Sequence, residues 1–283
     1  TFALINYMKL TIGFSPCPND TFIFDALVNK KIDTGDIEFE VFMEDVETLN
    51  RMALQEKLDI TKISYGVLPR ILPAYRVLDA GSALGKGVGP ILVAAVPVEP
   101  ESVPDLSVAL PGIHTTAHML FTLAFPQSVK KVYMVFSDIE DAVLRGETNL
   151  GVLIHENRFT YEKKGLHKVL DLGEYWEQNT QCPIPLGGIV MNRQYDITLM
   201  KDISEMIRKS LEYSRKSYPE LSGYVKQHAQ EMEEEVMRKH IDLYVNDYSL
   251  SLGSDGRAAV WQLLDVASHL IPPPVAGSFE IFT

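Results

Sequence analysis

Lys9-Leu-Thr-Ile-Gly-Phe14 runs without a break into Ser15-Pro-Cys-Pro-Asn-Asp-Thr-Phe22 and on through Ile23-Phe-Asp-Ala-Leu-Val28. The first piece suits a short buried strand. Pro16 and Pro18 stiffen the loop behind it, and Asn19 or Asp20 is suited to cap the apolar-periodic helix that follows. A strand, a rigid loop and a helix N-terminus in that order form the place where open α/β sheets hold ligands. Free N–H groups and the helix dipole favour an anion there, such as a carboxylate. The same residues also serve as a well-capped turn with no ligand.

The alternation continues outward from this unit. Ile37-Glu-Phe-Glu-Val-Phe42 alternates as a half-buried strand should. Asp45 is placed to cap a helix over 46–57, and Asp59-Ile-Thr-Lys-Ile-Ser64 is a strand with a small, polar end. Segments 75–83 and 89–96 read as further strands, the second either central or a connector between domains. Pro97-Val-Glu-Pro-Glu-Ser-Val-Pro104 packs three prolines and two glutamates into eight residues and reads as a linker. A second series follows: a strand over 106–110, the turn Pro111-Gly-Ile-His-Thr-Thr-Ala117 into a helix to Ala124, strands over 131–136 and 150–154, and a short helix between them. Segment 182–192, with Pro183, Pro185, Gly187 and Gly188, looks like a return crossing. Helical patterns over 197–217, 236–244 and 257–270 complete the chain.

Two crossings between two α/β units predict a two-lobed α/β protein. The larger, discontinuous lobe would comprise residues 8–97 plus 193–283, and the smaller lobe residues 98–192. Such proteins close on a small ligand between their lobes. The strand ends at Ser15, Ser64, Thr115-Thr116 and His155 would then face one cleft.

Composition narrows the class. Of the 283 residues, 46% are hydrophobic and 23% charged, which is ordinary for a globular chain and longer than one core usually fills. Lys and Arg number 26 against 38 Asp and Glu, a net charge of −12 that disfavours nucleic acid as a partner. Cys17 and Cys182 are too few for a disulfide framework or, alone, a zinc site. No apolar run reaches the length of a membrane span. Met8 reads as the natural start, residues 1–7 as a leader or added remnant too short for a signal peptide. The expectation is a soluble cytoplasmic protein.

His155 follows the apolar run Gly151-Val-Leu-Ile154. An imidazole at a strand's carboxyl end in a cleft is suited to general-base work, because its ordinary pKa lies near neutrality; a structural histidine is the alternative. His114 and His118 have the i, i+4 spacing of a helical metal pair, but no third ligand lies near them in sequence. Between them, Thr115, Thr116 and Ala117 leave backbone N–H groups reachable at a helix start. Gly81-Ser-Ala-Leu-Gly-Lys-Gly-Val-Gly89 lacks the Gly-Lys-Ser/Thr order of a phosphate loop, and no Gly-x-Gly-x-x-Gly follows the first strand. Nucleotide triphosphatase and nicotinamide dehydrogenase readings are disfavoured accordingly. The Tyr and Met residues of the late helices read as core.

Several longer motifs occur in one order: Gly13-Phe-Ser-Pro-Cys-Pro-Asn-Asp-Thr-Phe-Ile-Phe24, Glu44-Asp-Val-Glu-Thr-Leu-Asn50, Thr61-Lys-Ile-Ser-Tyr65, Gly85-Lys-Gly-Val-Gly-Pro90, Pro111-Gly-Ile-His-Thr-Thr-Ala117, Ile154-His-Glu-Asn-Arg-Phe-Thr-Tyr161, Asp171-Leu-Gly-Glu-Tyr-Trp176, Pro183-Ile-Pro-Leu-Gly187 and Tyr244-Val-Asn246. With them the chain resembles the 1,4-dihydroxy-6-naphthoate synthase family of the futalosine route to menaquinone, over nearly its whole length after Met8. The resemblance implies a type 2 periplasmic-binding-protein-like fold used as an intracellular lyase. It implies conversion of cyclic dehypoxanthinyl futalosine, a substrate bearing a carboxylate, with no metal or redox cofactor. It implies His155 as catalytic base and Lys62, Ile63, Ser64, Thr115, Thr116 and Ala117 as substrate-contacting residues. Ser15, Cys17, Asn19 and Asn50 are expected to join them. The rival functions on the same scaffold are a sister enzyme that dehydrates a chorismate-derived substrate and a non-catalytic small-molecule-binding protein.

Overall fold

The computed structural model describes residues 8–229, 233–270 and 279–283; residues 1–7, with the leader expected there, lie outside them. The first half of the chain contains β1 (Met8–Phe14), α1 (Pro18–Val28), β2 (Ile37–Met43), α2 (Val46–Leu54), β3 (Ile60–Ser64), α3 (Leu68–Ile71), β4 (Tyr75–Val77), β5 (Ala83–Gly85), β6 (Ile91–Ala94), β7 (Val108–Leu110), α4 (Thr116–Ala124) and β8 (Lys131–Tyr133). The second contains α5 (Ile139–Leu144), β9 (Leu150–Leu153), β10 (His167–Asp171), α6 (Leu172–Thr180), β11 (Ile184–Asn192), α7 (Ile197–Ser217), α8 (Gly223–His228), α9 (Glu234–Tyr244), α10 (Asp247–Leu250) and α11 (Gly253–Leu270).

Among the described residues the strands form two sheets. The first has the order β2-β1-β3-β11-β4, with β5 also on β11; the second has the order β10-β6-β9-β7-β8. In the first, β1 runs parallel to β2 and β3, and β11 runs antiparallel to β3 with Lys62 opposite Ile189 and Ser64 opposite Gly187. Side chains that alternate along a strand point to opposite faces, and the cores divide accordingly. Leu92 and Ala94 of β6 join a cluster between the sheets with Ile63, Val190 and Trp176, while Ile91 and Val93 turn to a cluster with Ile139 and Val143 of α5. Ile189 and Met191 of β11 turn the other way from Val190, into a cluster with Phe14, Phe24 and Ile207. Phe14 and Phe24 stack at 4.5 Å, and Ser210 of α7 donates to Ile23 O and accepts from Leu27 N, so α1 is held on both sides. No helix among the described residues is long and apolar enough to cross a membrane.

The two-lobed α/β plan is present, and sheet membership sets the crossings differently from composition. Ile91–Ala94 pairs with Leu150–Leu153 in the second sheet, and Ile184–Asn192 pairs with Ile60–Ser64 in the first. By pairing, the chain crosses within 86–90 and 172–183, whereas composition put the boundaries at 97 and 193. The proline-rich 97–104 run is largely a 3-10 turn, Pro100–Asp105, between two strands of the second sheet. Segment 182–192 is mostly the long strand β11. The single strand expected over 75–83 is two short ones, β4 and β5, both paired to β11.

Both crossings meet at one point. A Cβ on Gly89 would lie 2.2 Å from Gly173 Cα, and a Cβ on Gly173 2.7 Å from Gly89 Cα. Leu172 N donates to Pro90 O at 2.9 Å, and Arg158 donates to Gly89 O and to Asp171. Backbone lies directly on backbone there, so no side chain can give way. Gly89→Ala should lower stability by about 1–3 kcal/mol through overpacking, read as a fall in denaturation midpoint; an unchanged midpoint would contradict the close approach.

Candidate active site

The cleft between the sheets is built from the ends of several strands and helices. It encloses about 660 Å³, open mouth included, and its walls carry Ser15, Asn19, Asp20, Lys62, Ile63, Ser64, Thr115, Thr116, Ala117, His155, His240 and Tyr244. Nine of the eleven residues singled out from sequence therefore line one space. Cys17 and Asn50 do not.

The β1–α1 loop differs from expectation in one respect. Helix α1 begins at Pro18 with Cys17 as its N-cap and no side-chain cap. Asn19 and Asp20 sit in the first turn, and the Asp20 carboxylate reaches back to accept from Ser15 N at 3.2 Å and Ser15 Oγ at 2.7 Å. Pro18 needs no N–H acceptor at the first helical position, and Thr21 Oγ1 bonds Cys17 O at 3.1 Å. Asp20 is thereby freed for a buried ion pair. Lys62 Nζ stands 2.9 Å from Asp20 Oδ1, with side chains 7% and 2% exposed, and also donates to Gly81 O at 3.2 Å. Asn19 Nδ2 donates to Asp20 Oδ1 at 2.9 Å, which turns Asn19 Oδ1 toward His240 Nε2 at 2.8 Å. The polar chain runs Lys62, Asp20, Asn19, His240.

Asn50 serves Ser64. Its Oδ1 accepts from Ser64 N at 2.9 Å, and its Nδ2 donates to Ser64 Oγ at 3.2 Å and to His114 O at 3.4 Å. With its oxygen already accepting, the Ser64 hydroxyl has its own proton left to donate into the cleft. The α4 start is tied down similarly. Thr115 Oγ1 accepts from His118 N and donates to Gly112 O at 2.8 Å. Thr116 Oγ1 donates to Leu186 O at 2.8 Å and accepts from Gly66 N at 3.0 Å. Both hydroxyls are structural, so what the helix start offers a ligand is its first-turn backbone N–H groups, which lack intrahelical acceptors.

His155 ends the second-sheet strand β9, past Ile154. Its φ of +56° places it in the left-handed region, which costs a non-glycine residue about 1–2 kcal/mol. Strain of this kind collects at functional sites. The ring lies 4.7 Å from Phe136 and 5.9 Å from His240, nearly parallel to the latter at 8°. Burial lowers the His155 imidazole to about 4; the Asp20 and Asp45 carboxylates oppose this and the Lys62 ammonium adds to it. Burial also holds His240 well below the ordinary value, with His155 and Lys62 acting in the same direction. At neutral pH both rings are neutral, and an unprotonated imidazole is what a base requires.

His240 and Asp20 escaped the sequence reading as site residues. In sequence, Asp20 reads with Asn19 as one of two candidate helix caps. His240 lies on a helix whose Met237 and Ile241 face the core with Phe22 and Ile23, and the i, i+4 pair His240 and Tyr244 on the neighbouring face was the available signal. The His114 and His118 pair gathers no third ligand. His118 Nδ1 donates to Ile113 O and Tyr133 OH bonds Nε2. Among the described residues no group of three or more His, Cys, Asp or Glu side chains could hold a metal ion.

Comparison with known proteins bears on the family and the fold. A family pattern described as menaquinone biosynthesis matches residues 10–269. The 1,4-dihydroxy-6-naphthoate synthase of Thermus thermophilus is 43% identical over 254 residues, covering 90% of this chain and 92% of that one. Its namesake from Streptomyces coelicolor is 40% identical over 273 residues, 93% and 95% of the two chains. Among solved structures, a protein of Archaeoglobus fulgidus superposes with a TM-score of 0.87 at 32% identity, covering 92% and 97%. The periplasmic aliphatic sulphonate-binding protein of Escherichia coli superposes at 0.66 and 13% identity, covering 94% and 89%, a likeness of fold alone.

Two outcomes follow from the site's electrostatics. Removing one partner of a buried ion pair strands the other charge, so Lys62→Met should cost about 3–5 kcal/mol. Pairing it with Asp20→Asn should restore more than half of that loss in chemical denaturation; additive losses would contradict a coupled pair. The depressed imidazoles act on pH dependence. Between pH about 6.5 and 4 the unfolded chain binds protons that His155 and His240 refuse in the fold, so stability falls as pH drops through that window. Melting temperatures across it should decline, less steeply in His155→Asn; an identical slope in that variant would contradict the depressed value.

Proposed function

The chain belongs to the menaquinone-biosynthesis family, and from that premise we propose that it is a carbon–carbon lyase converting cyclic dehypoxanthinyl futalosine to 1,4-dihydroxy-6-naphthoate, with His155 as general base. The observation that carries the base is the neutral His155 imidazole, set on a strained backbone at the wall of the cleft. It removes a proton from the sugar-derived part of the substrate, and a retro-aldol-like carbon–carbon cleavage follows. Aromatisation of the naphthoate supplies driving force, so the step needs no external oxidant. A positioned base of this kind contributes about a hundred- to ten-thousand-fold in rate.

The opposite wall suits the substrate's carboxylate and the developing oxyanion. Lys62 lines the cleft and uses two of its three donors on Asp20 and Gly81, so one donor remains for a ligand. The Ser64 hydroxyl, held by Asn50, and the first-turn N–H groups of Thr116 and Ala117 add neutral donors. Donors fixed in advance and shielded from water stabilise charge at no reorganisation cost during reaction. Ser15 and Asn19 act behind them by orienting Asp20. The cytoplasm is the compartment this biosynthetic role calls for.

Incubation of the purified protein with cyclic dehypoxanthinyl futalosine, followed by absorbance and mass, tests the reading. Naphthoate should form, and His155→Asn should bind the substrate yet lose most turnover. The acid limb of kcat/KM should fall near pH 4, where His155 becomes protonated, and not at the ordinary imidazole value near 6.5. A wild type that binds the compound tightly without making product would instead favour a binding protein. An unimpaired His155→Asn would remove the base assignment.

A further inference from the structure

The base hangs from one sheet and leans on a ring carried by the other. His155 follows β9 of the second sheet. His240 sits on α9, whose Met237 and Ile241 belong to the core cluster of the first sheet with Leu10, Phe22 and Ile189. The two imidazoles stack across the cleft at 5.9 Å and 8°, and Phe136 lies 4.7 Å from His155, tilted by 54°. His155 thus has two aromatic neighbours, and only one of them is carried by its own sheet.

The His240 wall is itself immobilised. Its Nε2 meets Asn19 Oδ1 at 2.8 Å, Asn19 is oriented by its bond to Asp20, and Asp20 is fixed by Lys62 and Ser15. The Asn19 oxygen can only accept, so His240 carries its proton on Nε2. The ring is wholly buried, and Tyr244 packs against it at 4.7 Å. A side chain held this firmly has one orientation to offer its neighbour.

We propose that His240 is a positioning residue for the base: its fixed ring, supplied from across the cleft, sets the plane of the His155 imidazole. This rests on the lyase reading above. The two neutral rings lie nearly parallel, 5.9 Å apart between centres, without charge repulsion, and this neighbour limits rotation of His155 about its strained backbone. Rotating a catalytic group by a fraction of an ångström away from its target costs turnover much more than binding. His155 is therefore aligned by the first lobe although the second lobe carries it, and the base is in register only while the two lobes face each other as they do here.

Three variants separate the ring from its hydrogen bond. His240→Phe keeps a flat ring and loses the donor to Asn19. His240→Gln keeps a donor and loses the ring. His240→Leu loses both. Steady-state kinetics with cyclic dehypoxanthinyl futalosine, alongside thermal melts, should show kcat reduced about ten- to a hundredfold in the Gln and Leu variants with KM within about threefold, and largely recovered in the Phe variant. If the Leu variant does not fold, the contrast between Phe and Gln decides. Wild-type kcat in folded Gln protein, a loss confined to KM, or rescue by Gln and not by Phe would each overturn the proposal. Turnover by the wild type with unaffected His240 variants removes this inference alone; no turnover by the wild type removes the lyase reading and this one with it.

Discussion

The ion pair between Lys62 and Asp20 is the constraint on which the site depends. Both charges are almost fully buried, and desolvation on that scale is tolerated only when the geometry is close and further hydrogen bonds support the charges, as they do here. The carboxylate takes a lysine, a serine hydroxyl, a backbone N–H and an asparagine amide, and the ammonium also takes the Gly81 carbonyl. One pair thereby fixes the β1–α1 loop, the middle of β3 and the approach to β5. A hydrophobic pair of the same volume could hold these segments at no smaller stability. It could neither orient Asn19 nor present an ammonium to the cleft.

Around that pair, polar side chains divide into those that hold the walls and those that face the cleft. Asn50, Thr115 and the Thr116 hydroxyl hold: each spends its hydrogen bonds on backbone or on Ser64. Lys62, Ser64 and the α4 N-terminus face inward with donors to spare. The distinction is chemical. A threonine hydroxyl has one proton, and once a carbonyl has taken it nothing remains to donate. The Thr116 bonds to Gly66 and Leu186 join the α4 start to the first sheet, so a helix that follows a second-sheet strand is anchored on the opposite lobe. The cleft floor is thus cross-linked where the lobes meet, and Gly89 lies directly on Gly173 nearby.

The scaffold is shared with proteins that bind sulphonates, and fold of itself does not dictate chemistry. In the proposed reaction, the feature that separates this site from a binding pocket is a histidine kept neutral by burial at a strained position, opposite a wall of donors. Burial has two effects on it. It favours the uncharged ring that can accept a proton, and it makes the charged product of that transfer costly unless Asp20 and Asp45 stand close enough to offset it. The placement of Asp20 ties the proposed chemistry back to the same ion pair.

The sequence by itself determined the local pieces. The strand, stiff loop and helix from Lys9 to Val28, the Asp45 cap, the helix start at Thr115 and Thr116, and the histidine behind an apolar strand are all encoded by neighbours a few residues apart. Hydrophobic period and capping chemistry are local, and two α/β series follow from them. Only the tertiary structure decided which sheet received β6 and β11, because an apolar run is equally content in either and the choice lies in the partner strand's register. Only it turned Asp20 from a helix cap into half of an ion pair with Lys62, and set His240 against His155. Those contacts join residues far apart in the chain. Their energy comes from burial and from directed hydrogen bonds, which exist only once the two lobes have brought the groups together.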